Sequence, residues 1–199
     1  MRKRVYRMDA RARGMEETRG RILEAAHRLW LELAYDAVTL ERVAKRAAVS
    51  KQTVLRLFGS KDRLAVAVAD WQRPREEAAR AAAPGDVQAA VAQLVDRYEE
   101  MGDANVRMLD LERRVPAVRH LLVQARDSHR QWIERVFAPF LAGGRGAARR
   151  RRVMAFYAAT DVTLWKLLRR DFELSRTQSE AVMLDLVRGL MPGAGRTSP

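Results

Sequence analysis

The chain of 199 residues is 48% hydrophobic and 32% charged, a balance that is typical of globular proteins and excludes a wholly disordered chain. Its formal net charge of +13 favours a polyanionic partner such as nucleic acid, although a general preference for Arg would also raise the charge. The absence of cysteine excludes disulfides and thiolate metal sites.

The distribution of apolar residues indicates the cellular location of the protein. No segment approaches the roughly 20 consecutive apolar residues that a membrane-spanning helix needs. The basic N-terminus, MRKRVYRMDARARG, is not followed by the apolar core of a secretion signal. We therefore expect a cytoplasmic protein with no membrane partner.

The N-terminal part of the chain predicts a basic arm followed by four helices. Residues 1–13 hold six Arg or Lys and one Asp, and we expect residues 1–14 to form a disordered arm. Apolar residues then recur at helical spacing, and the hydroxyl side chains of Thr39, Ser50 and Ser60 suit helix N-caps. The predicted helices are 18–34, 40–46, 51–57 and 61–83.

The rest of the chain continues the helical pattern, and no run alternates as a β-strand would. Breaks are predicted at Gly102-Asp103 and at the loop 143–146, and a capping box of Thr177 with Glu180 starts the last helix. The predicted helices are 86–101, 105–114, 116–140, 147–170 and 177–191. We therefore predict an all-α protein of about nine helices, with an N-terminal domain over 15–64, a C-terminal domain over 65–191 and a disordered tail over 192–199.

Residues 39–58 have the pattern of a helix-turn-helix. Two short helices flank the small residues Ala47 and Ala48, which allow the helices to approach closely. The apolar positions Val43 and Val54 face inward, so the first turn of the second helix faces outward. Such a turn contacts base edges in the major groove of DNA. Spacing alone also allows a helical hairpin whose polar tip is merely solvated.

The residue types on that turn suit base recognition. Lys51 can bond to guanine, Gln52 can bond to adenine, and Thr53 can contact the methyl group of thymine. Further side chains have the chemistry for phosphate contacts, which position a protein on DNA without specifying sequence. These phosphate candidates are Thr39, Ser50, Arg56 and Lys61.

The segment TRGRILEAAHRLWLELAYDAVTLERVAKRAAVSKQTVLRLFGSKDRL, residues 18–64, resembles the DNA-binding domain of the TetR (tetracycline repressor) family. Many positions match at fixed spacing without a gap, over about a quarter of the chain. The matching residues are Ile22, Ala25, Ala26, Tyr35, Thr39, Val43, Ala44, Ala47, Val49, Ser50, Lys51, Thr53, Phe58, Lys61 and Leu64.

This resemblance implies a homodimeric transcriptional regulator, usually a repressor. In the family, three N-terminal helices bind DNA, and the remaining helices bind a small molecule and dimerise. The small molecule changes the separation of the two DNA-binding domains and releases a palindromic operator. The resemblance implies no enzyme activity and no cofactor.

Some positions depart from the family pattern. Ala34 and Ala48 stand where the family often has Gly, and both are small enough for the turns to survive. Leu55 replaces a frequent Tyr and Leu57 a frequent His, so we assign neither leucine a phosphate contact. We expect Leu57 to anchor its helix from beneath, whereas Leu55 either packs inside or contacts DNA. The basic arm either follows the DNA backbone or minor groove or has no function.

The C-terminal domain offers candidates for a small-molecule pocket, because aromatic walls with a few polar groups are typical of such pockets. The alternative for each residue is an ordinary place in the core. His129, in particular, suits either a hydrogen-bonded core residue or a polar contact to the effector. The candidates are Tyr98, Met101, Met108, Leu109, Leu122, His129, Trp132, Tyr157, Asp161 and Trp165.

The last two predicted helices are apolar on more than one face, which indicates burial on two sides. We predict that they pair with their symmetry mates as a four-helix dimer interface. The expected interface residues are Val153, Leu164, Leu167, Met183, Leu184, Val187 and Leu190.

Two other classes of function, an enzyme and an architectural DNA-binding protein, fit the sequence less well. An enzyme is disfavoured because His27, His120 and His129 lack metal-ligand spacing and no phosphate-binding glycine loop is present. An architectural DNA-binding protein without sequence preference would not need a large second apolar domain. A DNA-binding transcriptional regulator is therefore the function that the sequence favours.

Overall fold

Helices joined by short turns make up the described chain. A computed structural model describes the backbone of residues 2–191 and the side chains of residues 13–191; the predicted tail, 192–199, lies outside the described residues. The α-helices are α1 (Arg2–Glu32), α2 (Leu40–Arg46), α3 (Lys51–Phe58), α4 (Lys61–Ala79), α5 (Val87–Leu109), α6 (Pro116–Val136), α7 (Ala138–Leu141), α8 (Gly146–Thr160), α9 (Val162–Lys166) and α10 (Arg176–Gly189).

The all-α prediction is confirmed, since no strand is present in residues 2–191. Nine α-helices remain in this part of the chain when α7, which is a single turn, is set aside. A 3₁₀ turn, Tyr35–Ala37, connects α1 to α2, and a π-helical turn, Leu167–Asp171, extends α9. None of the described helices has both the length and the apolar character needed to cross a bilayer.

The chain folds as two compact units, which we call the head (residues up to Pro74) and the body (residues from Arg75). The predicted domain boundary, between residues 64 and 65, falls inside α4. This helix is continuous from Lys61 to Ala79, so it ends four residues before the predicted end at residue 83. Even Pro74 lies within it.

A hydrophobic core fixes the helices of the head. Ile22 and Ala26 of α1, Val43 of α2 and Val54 of α3 are almost fully buried, and Leu64 of α4 joins them. These positions are those of the apolar stripes seen in the sequence. Burying side chains of this size stabilises the fold by roughly 1.5–3 kcal/mol each.

The first helix starts much earlier than the expected start at residue 18. Its backbone is helical from Arg2, where the sequence analysis expects a disordered arm over 1–14. Arg, Ala, Met and Glu dominate this segment, and all four favour helix. The side chains up to residue 12 lie outside the described part.

Gly102 does not break its helix, which corrects the predicted break at Gly102-Asp103. An ideal Cβ on Gly102 would lie 2.4 Å from Cζ3 of Trp165, so only Gly lets the indole of α9 lie against the backbone of α5. Trp165 is fully buried, and its Nε1 donates to Oε1 of Glu99 at 2.9 Å. Tertiary packing thus outweighs the low helix propensity of Gly.

The predicted helix 147–170 is interrupted at Asp161, which has extended backbone angles (φ −77°, ψ 149°). Its carboxylate accepts a hydrogen bond from the backbone N–H of Thr163 at 2.8 Å and so caps α9. The carbonyl of Thr160 at the end of α8 accepts from the hydroxyl of Tyr98 at 2.9 Å.

The last helix also starts differently, since Ser175 and Gln178 form its capping box in place of Thr177 and Glu180.

The body is built around α5, which packs on α9 and α10. Its core collects the apolar faces of α5, α6, α8, α9 and α10 around the stacked rings of Phe137 and Phe156, whose centroids are 4.6 Å apart. Leu94 of α5 and Met183 of α10 are fully buried in it. The buried polar side chains among the described residues are those of His129, Thr160 and Ser179, all in the body.

Candidate functional site

The turn between α2 and α3 has the hydrogen bonds of a Schellman motif. The N–H of Val49 donates to the carbonyl of Ala44 at 3.0 Å, and the N–H of Ala48 donates to the carbonyl of Lys45 at 3.3 Å. Ala48 has a positive φ of 53°, a conformation usually taken by Gly. The turn therefore forms as expected, but with a strained residue at its centre.

Hydroxyl side chains cap both helices of the motif, as predicted. Oγ1 of Thr39 accepts from the N–H of Arg42 at 3.3 Å, and Oγ of Ser50 accepts from the N–H of Thr53 at 3.1 Å. Each cap satisfies a backbone donor at the positive end of a helix, where phosphate also binds favourably. Two such ends are therefore available to the DNA backbone.

The first turn of α3 carries the three predicted base-contacting residues. Lys51 and Gln52 are exposed, and Thr53 is half-buried because its hydroxyl lies 2.9 Å from that of Ser50. Val54 and Phe58 hold the opposite face of α3 in the core of the head. The helix thus presents its first turn to solvent.

Lys51 forms an ion pair with Glu41, which the sequence analysis did not anticipate. The hydrogen bond from Lys51 lowers the pKa of the Glu41 carboxyl, which keeps this exposed group ionised. The pair joins the first turn of α3 to the first turn of α2. A carboxylate therefore lies beside a residue proposed to contact DNA.

The phosphate candidates are not equivalent in the structure. Arg56 is exposed, and none of the ion pairs among the described residues includes it. Lys61 is half-buried; its Nζ donates to the carbonyl of Tyr35 at 3.2 Å and lies 4.4 Å from the centre of the Tyr35 ring. The hydroxyl of Tyr35 in turn donates to Oδ1 of Asp62 at 2.6 Å. Lys61 therefore has a structural role within the head.

Both leucines of α3 are half-buried. Leu57 packs against the core of the head, in agreement with the expected anchor, whereas Leu55 is not among the described residues packed against that core.

The ten pocket candidates divide evenly between core and half-buried positions. Tyr98, Leu122, His129, Trp132 and Trp165 are buried, whereas Met101, Met108, Leu109, Tyr157 and Asp161 are half-buried. Three of them meet around His129: Trp132 stacks on its ring at 5.3 Å and Tyr157 meets it edge-on at 4.8 Å. Leu122 lies about two helical turns before His129 on α6, and Met108 and Leu109 lie at the C-terminal end of α5.

A chain of polar contacts runs through this cluster and includes Arg80, which the sequence analysis missed. Nη2 of Arg80 lies 2.6 Å from Nδ1 of His129, and Nε2 of His129 lies 3.1 Å from Oγ1 of Thr160. The hydroxyl of Thr160 donates to the carbonyl of Phe156 at 2.7 Å. Because Arg only donates, Nδ1 of His129 must accept, and Nε2 carries the proton.

The environment of this cluster keeps the imidazole neutral. Burial, and then the nearby charge of Arg80, lower the pKa of His129 to about 3. Burial also raises the pKa of Tyr157. No pattern in the sequence marks Arg80, because the helices that surround it come about 50 residues or more later in the chain.

The predicted dimer residues fall into two groups. Val153, Met183, Leu184 and Val187 are buried in the core of the body of this single chain. Leu164 and Leu190 are half-buried against the same core, and Leu167 is exposed. The outward faces of α8 and α10 instead carry Met154, Val182 and Leu186.

An open groove of about 690 Å³ also lies on the body. Charged side chains of α6 and α8 line much of it, including Arg130, Glu134 and Arg149, with Val153 and Met154. None of the ten pocket candidates lines it. Among the described residues, no three His, Asp or Glu side chains are close enough together to hold a metal ion.

Comparison with known proteins identifies the head. Residues 22–68 match the model of the bacterial regulatory proteins, tetR family. The match covers the described part of α1 from Ile22, both helices of the helix-turn-helix and the first part of α4. No curated protein matches the chain in sequence.

Solved structures share the fold over nearly the whole chain. A transcriptional regulator from Rhodococcus sp. Rha1 has a TM-score of 0.70 at 15% identity, with 91% of this chain and 99% of that chain covered. A putative transcriptional regulator from Pseudomonas aeruginosa PAO1 has a TM-score of 0.62 at 15% identity, with 89% and 92% covered. A TetR/AcrR-family regulator from Thermobifida fusca YX-ER1 has a TM-score of 0.57 at 21% identity, with 89% and 98% covered.

At 15–21% identity, the likeness to these structures shows the fold alone. The function follows from the head, where the family match coincides with a capped, outward-facing α3. The head is a DNA-binding domain of the tetR family of bacterial regulatory proteins, and the chain is a DNA-binding transcriptional regulator.

Proposed function

We propose that the chain is a homodimeric cytoplasmic repressor that binds a palindromic operator and is released from it by a small molecule. The observation that carries the proposal is the first turn of α3, where Lys51 and Gln52 are exposed next to the capping residue Ser50. The proposed repressor acts by binding DNA and not by catalysis. Base contacts come from Lys51, Gln52 and Thr53, and phosphate contacts from Arg56 and the two helix ends capped by Thr39 and Ser50.

Selection from a pool of random duplexes tests sequence-specific binding. The selected duplex and a scrambled duplex are then compared by fluorescence anisotropy at physiological salt. We expect at least about a thousandfold tighter binding of the selected duplex, as is typical of specific regulators. Equal affinity for both duplexes would support an architectural protein and reject the proposal.

The dimer is supported by the apolar outward faces of α8 and α10. Met154 is 45% exposed and Leu186 is 46% exposed, and Val182 accompanies them on α10. Small residues, Ala158 and Ala181, are exposed on the same two helices and would allow close approach of a second copy. An isologous four-helix contact through these faces fits the two-fold symmetry of a palindrome.

Sedimentation of Leu186→Glu tests this interface. We expect the unchanged protein to sediment as a dimer and the variant as a monomer at micromolar concentration, because the new carboxylate would be desolvated at the contact. Val123→Glu is the matched control, since Val123 is 49% exposed on α6. A dimer that persists in Leu186→Glu, or is lost equally in Val123→Glu, would place the interface elsewhere.

Release by an effector is supported by the polar cluster around His129, which lies among aromatic side chains. Its test is a small-molecule screen by thermal shift, followed by anisotropy on the selected duplex. An effector should raise the melting temperature and weaken operator binding. Compounds that bind the body and leave operator affinity unchanged would argue against regulated release.

A further inference from the structure

The guanidinium of Arg80 has no carboxylate bound directly to it among the described residues. Its Nε is buried without a hydrogen-bond partner, and none of the ion pairs among the described residues includes Arg80. The carboxylate of Glu76 binds Arg97, whose Nε donates to it at 3.2 Å. Burial of a charge in this way is unfavourable unless a counter-charge is supplied.

The side chains in direct contact with Arg80 orient its guanidinium and carry no negative charge. His129 accepts one hydrogen bond but is neutral, and the guanidinium carbon lies 4.4 Å from the centre of the Trp132 ring. Nε1 of Trp132 donates to the backbone carbonyl of Arg80 at 3.0 Å, which holds the residue in place. Burial lowers the pKa of Arg80; the nearby Tyr98 and Glu76 oppose this shift, and the like charges of Arg135 and Arg97 add to it. The side chain remains charged, since Arg does not lose its proton in proteins.

The surroundings also indicate the kind of molecule that would neutralise it. A planar guanidinium with a free Nε suits a carboxylate, which binds Arg in a two-pronged fashion. The walls are the rings of Trp132, His129 and Tyr157, which suit an apolar group. Tyr157 is half-buried, and its hydroxyl forms none of the hydrogen bonds among the described side chains. A ligand with a single negative charge would pair with this single guanidinium.

We propose that Arg80, with His129 and Tyr157 beside it, is the receptor for a small hydrophobic monocarboxylate. This inference rests on the proposed effector-controlled regulator and names the chemical class of its effector. The carboxylate binds the guanidinium of Arg80, and the apolar part of the ligand contacts Trp132 and Tyr157. The ligand supplies the counter-charge that the unliganded body lacks.

Matched acids and amides test the charge requirement in the unchanged protein. Benzoate is compared with benzamide, and hexanoate with hexanamide, by isothermal titration and by thermal shift at constant ionic strength. We expect at least one acid to bind and to raise the melting temperature, and its amide to do neither. Failure of both acids, or equal binding of an acid and its amide, would overturn the proposal.

Variants then assign the binding to Arg80. Arg80→Gln should weaken binding of the acid by roughly 10- to 100-fold, the factor expected for a charged hydrogen-bonded contact. Arg130→Gln is the matched control, because Arg130 is an exposed Arg of α6 next to His129 in sequence, and it should bind as the unchanged protein does. Acid binding that is unaffected in Arg80→Gln, or equally weakened in Arg130→Gln, would reject the site.

The stability of the variant adds an independent criterion. Removal of an uncompensated charge should leave the melting temperature of the unliganded Arg80→Gln unchanged or raise it. A protein that fails to fold would instead show that Arg80 is a structural residue and would reject the receptor.

Arg80→Lys gives a second measure of the guanidinium contact. It keeps the charge but not the planar fork, so it should bind the acid more weakly than the unchanged protein does and should still not bind the amide. Undiminished binding in Arg80→Lys would argue against the guanidinium contact.

Operator binding separates this proposal from the one it rests on. If benzoate or hexanoate binds through Arg80 but operator affinity does not change, the proposed receptor is supported and the proposed release by an effector is rejected. If a neutral or cationic compound releases the operator while no acid binds at Arg80, regulated release stands and the receptor is rejected.

Discussion

Lys51, at the start of α3, is ion-paired with Glu41, at the start of α2. Both side chains are more than half exposed, so the pair adds little stability in water. Its consequence lies in the proposed DNA complex, where Lys51 would have to exchange this carboxylate for a base edge.

Glu41→Gln should therefore bind the selected operator more tightly. Loss of a competing, solvent-exposed pair predicts a small affinity gain, of roughly 1.5- to 5-fold, measured by anisotropy at physiological salt. Glu134→Gln, which removes the body pair with Arg149, is the control and should bind as before. Weaker binding by Glu41→Gln would show that Glu41 holds Lys51 in its binding position.

Gln52 and Arg56 should differ in what they contribute to DNA binding. Gln52→Ala should change the ranking of operator variants that differ at single base pairs. Arg56→Ala should weaken all of them by a similar factor and lower the slope of log affinity against log salt by about 1. A panel of duplexes titrated at several salt concentrations measures both quantities. The same effect from both substitutions would contradict the division between base and phosphate contacts.

Ala48→Gly should stabilise the head. Ala48 is exposed and has a positive φ of 53°, so Gly would remove backbone strain without loss of buried surface. We expect a gain of about 0.5–1 kcal/mol in the free energy of unfolding, measured with urea. Ala47→Gly is the control, because Ala47 is buried with an ordinary φ of −80° and should lose about 1 kcal/mol or more. A destabilised Ala48→Gly would show that the strain is compensated.

His129 should make the body less stable in mild acid. Its folded pKa of about 3 is below the unfolded value of about 6.5, so the unfolded chain binds more protons between these values. The stabilising contribution is complete above about pH 6.5 and decreases as the pH falls toward 3. This one group should lower the free energy of unfolding by about 2 kcal/mol between pH 7 and pH 5.

Urea titrations at the two pH values measure this decrease. His129→Gln should lose most of the pH dependence, whereas His120→Gln, at an exposed position of α6, should keep it. A decrease that is the same in His129→Gln would assign the acid sensitivity to other groups.

Gly102→Ala should destabilise the body, because the new methyl group would overlap the indole of Trp165. Overpacking of this kind reduces stability by about 1–3 kcal/mol. Gly20→Ala is the control: nothing lies within 4 Å of its Cβ position, and Ala favours helix by roughly 0.5–1 kcal/mol. Calorimetry on both variants measures the difference. A stable Gly102→Ala would mean that α5 and α9 separate readily.

The helices of the head could be predicted because the residues that determine them lie close together in the sequence. Helical spacing in α1 to α3 and the hydroxyl caps at Thr39 and Ser50 each depend on residues close in sequence, and the structure agrees with them. Lys51 was predicted to be presented, and it is exposed. Its partner Glu41 is ten residues away, and no spacing rule connects the two.

The body was less predictable because distant residues decide its structure. Gly102 has the sequence signature of a break, yet the indole of Trp165 packs where its side chain would be. Asp161 keeps the helical apolar period on both sides, so the break there was not visible. On α10 apolar residues occupy more than one face, and sequence alone did not separate Met183, which meets its own core, from Leu186, which faces outward.

The contacts of His129 have a spectroscopic consequence. Since Arg80 donates to Nδ1, the ring is held as a single tautomer whose Nε2 proton lies inside the body against Thr160. A buried imidazole proton of this kind exchanges slowly with water. It should therefore give its own downfield resonance in a proton spectrum, a signal inside the proposed receptor that reports directly on any molecule entering it.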